Sequence, residues 1–165
     1  MNKKPFYIVG FMGTGKSTLF NFMQEHGDVV DLDGEIETWI GTDIATYFDQ
    51  YGESAFRDVE SKVLQRIDAD FVLTGGGVVE RSKNIRWMRE HGKIIHLDLP
   101  FEECWARIKD SNRPLVKHGE SEVRALYNRR TTLYHEADET IDASQTPRCI
   151  AEQIIRMKEE KYDLD

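Results

Sequence analysis

With 165 residues, a mass of 19.2 kDa and 39% apolar side chains, the chain has material for one hydrophobic core and too little for two ordinary domains. Thirty acidic residues against 22 basic ones give a formal charge of -8 and a pI near 5.2, which opposes general affinity for nucleic acid or an anionic membrane; any bound anion must be gripped locally. The two distant cysteines, Cys104 and Cys149, form neither a disulfide framework nor a metal pair and fit a cytoplasmic setting, and no segment has the length and apolarity of a membrane span.

Along the chain, residues 6–10 are a short apolar run ending in glycine, which predicts a buried parallel strand followed by a Gly-rich turn and a helix beginning near Lys16. Similar runs recur at 29–32, 71–74, 93–97 and 139–141, with helix-length segments between them. That alternation predicts an α/β fold with a parallel sheet. Phe56, Val59, Val63 and Ile67 mark one stripe of a helix running from Glu53. Pro100 suits the start of a helix whose Phe101, Cys104, Trp105 and Ile108 face the sheet. Residues 110–122 read as a polar loop, and Val123, Leu126, Arg130, Leu133 and Ala137 share the stripe of a further helix. Thr146 is the expected N-cap of a last helix, with Pro147 at its first position and Ile150, Ile154 and Met157 facing inward. No repeat or linker marks a boundary, so one domain is expected over 1–165. The five histidines are scattered without metal-ligand spacing and read as surface or satisfied polar groups.

Gly10-Phe11-Met12-Gly13-Thr14-Gly15-Lys16-Ser17 matches G-x-x-x-x-G-K-[ST] between a predicted strand and a predicted helix, where a phosphate-binding loop must lie. Its backbone N–H groups and the following helix N-terminus favour a phosphate, Lys16 would reach the β- and γ-phosphates, and Ser17 would ligate Mg²⁺. Asp31-Leu32-Asp33 ends the second predicted strand, whose carboxyl end faces the ligand crevice of an open parallel sheet. Residues 31 and 33 of an extended chain point to one side, so both carboxylates are expected at the crevice, with helix capping by Asp33 as the other reading.

Glu53, Arg57 and Glu60 stand together at i, i+4 and i+7, which on spacing alone is a surface ion-pair ladder. Arg130 lies on an apolar stripe, where a guanidinium needs an anionic partner or must snorkel past the edge. Gly75-Gly76-Gly77 after the third strand permits close backbone approach to a small ligand, or is a flexible turn. Arg113, in the polar stretch, belongs either to a mobile loop that carries it over bound phosphates or to a plain solvated loop.

Together the phosphate loop, Asp31-Leu32-Asp33, the G-E-x-x-F-R-x-x-E stretch from Gly52 to Glu60, the triple glycine, Arg113-Pro114-Leu115 and the R-x-x-L-Y-x-E-x-A-D stretch from Arg130 to Asp138 resemble shikimate kinase, in the same order over nearly the whole chain. The resemblance implies the three-layer fold of P-loop kinases, with helices flanking a five-stranded parallel sheet in order 2-3-1-4-5, a substrate-binding region at about 33–62 and a mobile lid at about 110–122. It implies phosphorylation of shikimate at its 3-hydroxyl by ATP with Mg²⁺, in aromatic amino acid biosynthesis; the alternatives are another small-molecule kinase of the same fold, for gluconate or a nucleoside monophosphate, and a non-catalytic nucleotide-dependent binding protein derived from a kinase. No self-complementary apolar face shows in the sequence, so a monomer is expected. Carried over residue by residue, Asp33, Lys16 and Arg113 would be catalytic. Gly13, Thr14, Gly15, Lys16, Ser17, Thr18, Arg107, Arg113 and Pro147 would hold the nucleotide, with Arg107 stacked on adenine. Asp33, Arg57, Glu60, Gly75, Gly76, Gly77 and Arg130 would hold shikimate, and Ser17 and Asp31 the metal. Residues 21–27 depart from the usual Leu-Ala-rich pattern, and Val116 replaces the second Leu of the usual Arg-Pro-Leu-Leu.

Overall fold

The computed structural model describes residues 4–162, apart from the side chains of Ser17, Lys161 and Tyr162. Five strands pair in parallel throughout, in the order β2-β3-β1-β4-β5. They are β1 (Phe6–Val9), β2 (Val29–Asp31), β3 (Phe71–Leu73), β4 (Lys93–Asp98) and β5 (Glu139–Asp142). Phe6 of β1 is in register with Phe71 of β3 and Lys93 of β4. Every residue of β1 and β3 is buried, whereas both edge strands, β2 and β5, carry exposed positions. Covered faces explain the continuous apolar runs seen in the sequence.

The flanking helices are α1 (Leu19–Met23), α2 (Leu32–Ile40), α3 (Ile44–Leu64), α4 (Ser82–His91), α5 (Phe101–Ile108), α6 (Glu120–Tyr134) and α7 (Pro147–Tyr162). Among them α1 packs on α7, α2 on α3 and α5 on α6. The last helix starts as expected, with the Cys149 N–H donating to Thr146 Oγ1 at 3.2 Å. β1 is flanked by strands reached through crossovers on opposite sides, so the chain reverses its direction of travel across the sheet there. That switch point opens a crevice beyond the carboxyl ends of β1 and β3.

Three expectations are corrected, and one element is longer than expected. The helix expected near Lys16 begins as a 3₁₀ turn, Lys16–Thr18, and α1 itself ends at Met23, within the segment that lacks the usual Leu-Ala pattern. β2 stops at Asp31, and Leu32, expected in the strand, is the first residue of α2. α3 holds the helix expected from Glu53 and, before it, a further helical segment from Ile44, capped by Asp43, whose Oδ1 accepts from Thr46 N–H at 2.7 Å. It bends at Gly52 (φ 85°, ψ 172°), and every buried residue of α3 lies beyond that bend. Finally, the stretch 110–122 is not irregular throughout: it contains a 3₁₀ turn, Pro114–His118, and cedes residues 120–122 to α6.

The candidate active site

The loop from Gly10 to Gly15 leaves β1 and turns with positive φ at Gly13 (85°) and Gly15 (92°), conformations that side chains rarely adopt. Thr14 is buried and ties the turn, its Oγ1 donating to Phe11 O at 2.9 Å. The Lys16 ammonium folds over the loop, donating to Gly10 O, to Phe11 O at 3.1 Å and to Thr14 Oγ1 at 3.4 Å. The residue is half-buried. Burial pushes its pKa down to about 8, against the attraction of Asp33 and with the repulsion of Arg113. On the outer side, Arg107 Nη1 donates to Gly13 O at 2.8 Å and joins α5 to the loop.

A cleft of about 520 Å³ gathers the expected nucleotide and metal residues Gly13, Thr14, Gly15, Lys16, Thr18, Asp31, Arg107, Arg113 and Pro147 with Asp33, Gly75 and Gly76. The Ser17 side chain lies outside the described residues. Both aspartates reach the cleft, but not by the alternation of a strand. Asp31 is extended (φ -91°, ψ 112°) at the end of β2 and serves as N-cap residue, whereas Asp33 is already in the first turn of α2. Helix capping by Asp33 is therefore also excluded. Burial and the neighbouring Asp31 charge raise the Asp33 pKa, opposed by Lys16 and Arg57. Burial also raises that of Asp31, opposed by the Asp33 and Gly34 amides.

Arg57, Glu60, Gly77 and Arg130 do not line this cleft; they stand against its glycine wall. Gly77 lies so near Arg57 that a Cβ there would be 2.1 Å from Nη2, and a Cβ on Gly76 would be 3.2 Å from Arg130 Nη1. The Glu53-Arg57-Glu60 trio is no surface ladder, because Arg57 is 7% exposed and Glu60 only 1%. Arg57 Nη1 donates to Glu60 Oε1 at 2.8 Å and Nη2 reaches Glu53 Oε2 at 3.5 Å, while the buried Nε has no partner. Burial raises the Glu60 pKa, and the Arg57 charge works against that shift. Arg57 and Glu53 also border a smaller pocket of about 310 Å³ with Glu80, Arg81 and Arg129.

Arg130 does not snorkel: it is 5% exposed and its Nε donates to Glu80 Oε2 at 3.2 Å. One turn on, the Tyr134 hydroxyl donates to Gly76 O. The glycine wall is further braced by Asn84, whose Nδ2 donates to Val78 O at 2.9 Å while its Oδ1 accepts from Ser61 at 2.7 Å. Sequence reasoning assigned no role to Glu80, Tyr134 or Asn84. The sequence signalled only that Arg130, a charge on a core stripe, needs an anionic partner, and did not point to Glu80 as that partner. His96 also departs from expectation, being 3% exposed on β4, stacked on Tyr134 with ring centroids 5.0 Å apart, with Nδ1 unpartnered.

Cations and carboxylates thus converge where the phosphate loop meets the glycine wall, an arrangement able to hold two anionic reactants and manage one proton. A family profile described as shikimate kinase matches residues 12–159. A shikimate kinase of Persephonella marina is 39% identical over 156 residues, covering 90% of this chain and 95% of that protein. The solved shikimate kinase from Acinetobacter baumannii in complex with shikimate superposes with a TM-score of 0.86 at 32% identity, over 97% of this chain and 95% of that one. The enzyme from Aquifex aeolicus gives a TM-score of 0.83 at 28% identity, over 96% and 98% of the two chains. Similarity of this extent, in sequence and in fold alike, leads to one conclusion: the chain belongs to the shikimate kinase family and is an ATP-dependent kinase.

Proposed function

We propose that this chain transfers the γ-phosphate of ATP to the 3-hydroxyl of shikimate, with the residue roles that follow. The observation that carries the reading is the buried pair Arg57 and Arg130, each fixed by an internal carboxylate, flanking Gly76 and Gly77 with Arg57 Nε unpartnered. Such a pair suits a planar carboxylate, and a small acceptor bearing one explains why two guanidinium groups are buried here. Gly75, Gly76 and Gly77 keep the wall close to the acceptor, and Glu60 sets the Arg57 fork.

Asp33 accepts a hydrogen bond from the acceptor hydroxyl. As the hydroxyl oxygen bonds to the γ-phosphorus, the bond from phosphorus to the β–γ bridging oxygen breaks. ADP leaves with that electron pair, and the hydroxyl proton passes to Asp33, whose raised pKa suits it to accept. Lys16 and Arg113 stabilise charge on the transferring phosphoryl group, and backbone N–H groups of residues 13–18 cradle the phosphates. Arg107 and Pro147 border the base. Ser17 and Asp31 would hold Mg²⁺; Asp31 brings the cleft a carboxylate oxygen, the donor Mg²⁺ prefers. When bound, the ion neutralises charge shared by the β- and γ-phosphates.

An ADP-release assay over shikimate, gluconate and nucleoside monophosphates tests the reading. Turnover with shikimate alone is expected. Turnover with a nucleoside monophosphate or gluconate and none with shikimate would overturn it.

A further inference from the structure

Glu80 ends the 3₁₀ turn Val78–Glu80 that follows the triple glycine. Its backbone is tied to that wall, with Val78 N–H donating to Gly75 O at 3.2 Å and Glu80 N–H to Gly77 O at 3.0 Å. Its carboxylate reaches across to α6, where a single oxygen, Oε2, accepts from both Arg130 Nε and Arg129 Nη2. The two arginines differ in setting: the side chain of Arg130 is 6% exposed and that of Arg129 is 63% exposed.

A guanidinium is a rigid plane, so fixing Nε fixes where the other two nitrogens point. With Nε held by Glu80, Nη1 of Arg130 faces Gly76. One carboxylate shared by two guanidinium groups also leaves the trio with a net charge of +1, so Arg130 is oriented without being neutralised. Had Glu80 paired with Arg130 alone, its charge would compete with an incoming carboxylate.

We propose that Glu80 is a positioning residue that aims Arg130 at the acceptor's carboxylate, and that Arg129 offsets the Glu80 charge so that this aim does not weaken attraction for the anion. The proposal rests on Arg130 holding that carboxylate. The carboxylate is remote from the reacting hydroxyl and is held equally before and during transfer, so the effect belongs in acceptor affinity and not in turnover.

Steady-state kinetics and thermal melting of the full chain test it with Glu80→Gln, Arg129→Gln, Arg130→Lys and the double variant Glu80→Gln/Arg130→Lys. Glu80→Gln is expected to raise the shikimate KM on the order of tenfold, and Arg129→Gln about threefold, with kcat and the ATP KM within about twofold of the parent. Arg130→Lys raises the shikimate KM itself, and adding Glu80→Gln to it raises KM little further, because its target is gone. An unchanged shikimate KM in Glu80→Gln and Arg129→Gln, effects that multiply in the double variant, or equal losses in kcat and ATP affinity would each overturn the proposal. Failure of Arg130→Lys to alter the shikimate KM would instead remove the assignment of Arg130 on which it rests.

Discussion

A single methyl group at position 77 is expected to disable the acceptor side of the site. Gly77 has φ -97° and ψ 8°, a conformation open to alanine, so Gly77→Ala acts chiefly through collision. Its Cβ would lie 2.1, 2.5 and 2.7 Å from Nη2, Cζ and Nη1 of Arg57. Ordinary contact is about 3.5 Å, so the guanidinium must withdraw by about 1 Å or more, and its 2.8 Å bond to Glu60 cannot survive. Glu60, 1% exposed, is then left buried without its counterion. Removing one partner of a buried pair costs about 3–5 kcal/mol; here the cation relocates and is not deleted, so about 2–3 kcal/mol is the estimate. For a chain of this size that lowers Tm by roughly 5–10 °C. Glu60, whose pKa burial already raises, takes up a proton more readily than it stays charged and unpaired, so the loss is smaller at pH 5 than at pH 8. Calorimetric melting at both pH values, with the shikimate KM, checks this. The control is Gly76→Ala, whose Cβ meets Arg130 Nη1 at 3.2 Å and needs a shift of only a few tenths of an ångström. A Gly77→Ala protein with parental Tm and shikimate KM, or a Gly76→Ala protein with an equal loss of Tm, would refute the reasoning.

Three further outcomes are expected. Asp33→Asn keeps the side chain's shape and removes its basic oxygen, so turnover falls at least roughly a hundredfold with ATP affinity little changed, as single-turnover kinetics and calorimetric titration will read. Lys16 has its pKa lowered to about 8 by burial, and phosphates favour its charged form; ATP affinity therefore weakens above pH 8, by about tenfold per pH unit, and a flat profile from pH 8 to 9.5 would contradict this. His96 has its pKa lowered by burial to about 4, against the Asp98 charge and with those of His135 and Lys16. Between pH 6.5 and 4 the unfolded chain takes up a proton that the folded one refuses, so stability declines as pH falls through that window. His96→Phe is expected to flatten this decline in denaturant titrations.

The centre of the sheet was legible because β1, β3 and the middle of β4 are buried and read as apolar runs, and the phosphate loop because its residues are local and contiguous. Arg130 announced itself as a charge on a core stripe, although Glu80, its partner fifty residues away in a turn without periodicity, could not be read from position alone. The arrangement of Asp31 and Asp33 was misread since a strand and a helix meet between them, and alternation holds only while the chain stays extended. Arg57 and Glu60 have the spacing of an exposed ladder. Spacing says which groups can touch; depth depends on Ser61, Val63 and Leu64 being drawn into the core and on the glycine wall closing above them. His96 looked ordinary because a lone histidine on a strand says nothing about the tyrosine that covers it.

The break in α3 carries a mechanical consequence. A continuous helix transmits displacement along its length like a rod, so a push on one end is felt at the other. At Gly52 that rod is cut. The half before it, paired with α2, rests on the surface through partly covered Tyr47 and Phe48, while the half beyond it roots Phe56, Arg57 and Glu60 in the interior. With the backbone rod interrupted, the two halves meet through side chains instead: Phe48 of the outer half packs on Phe56 of the inner one with ring centroids 4.8 Å apart, and the Arg57 guanidinium lies over that same Phe56 ring.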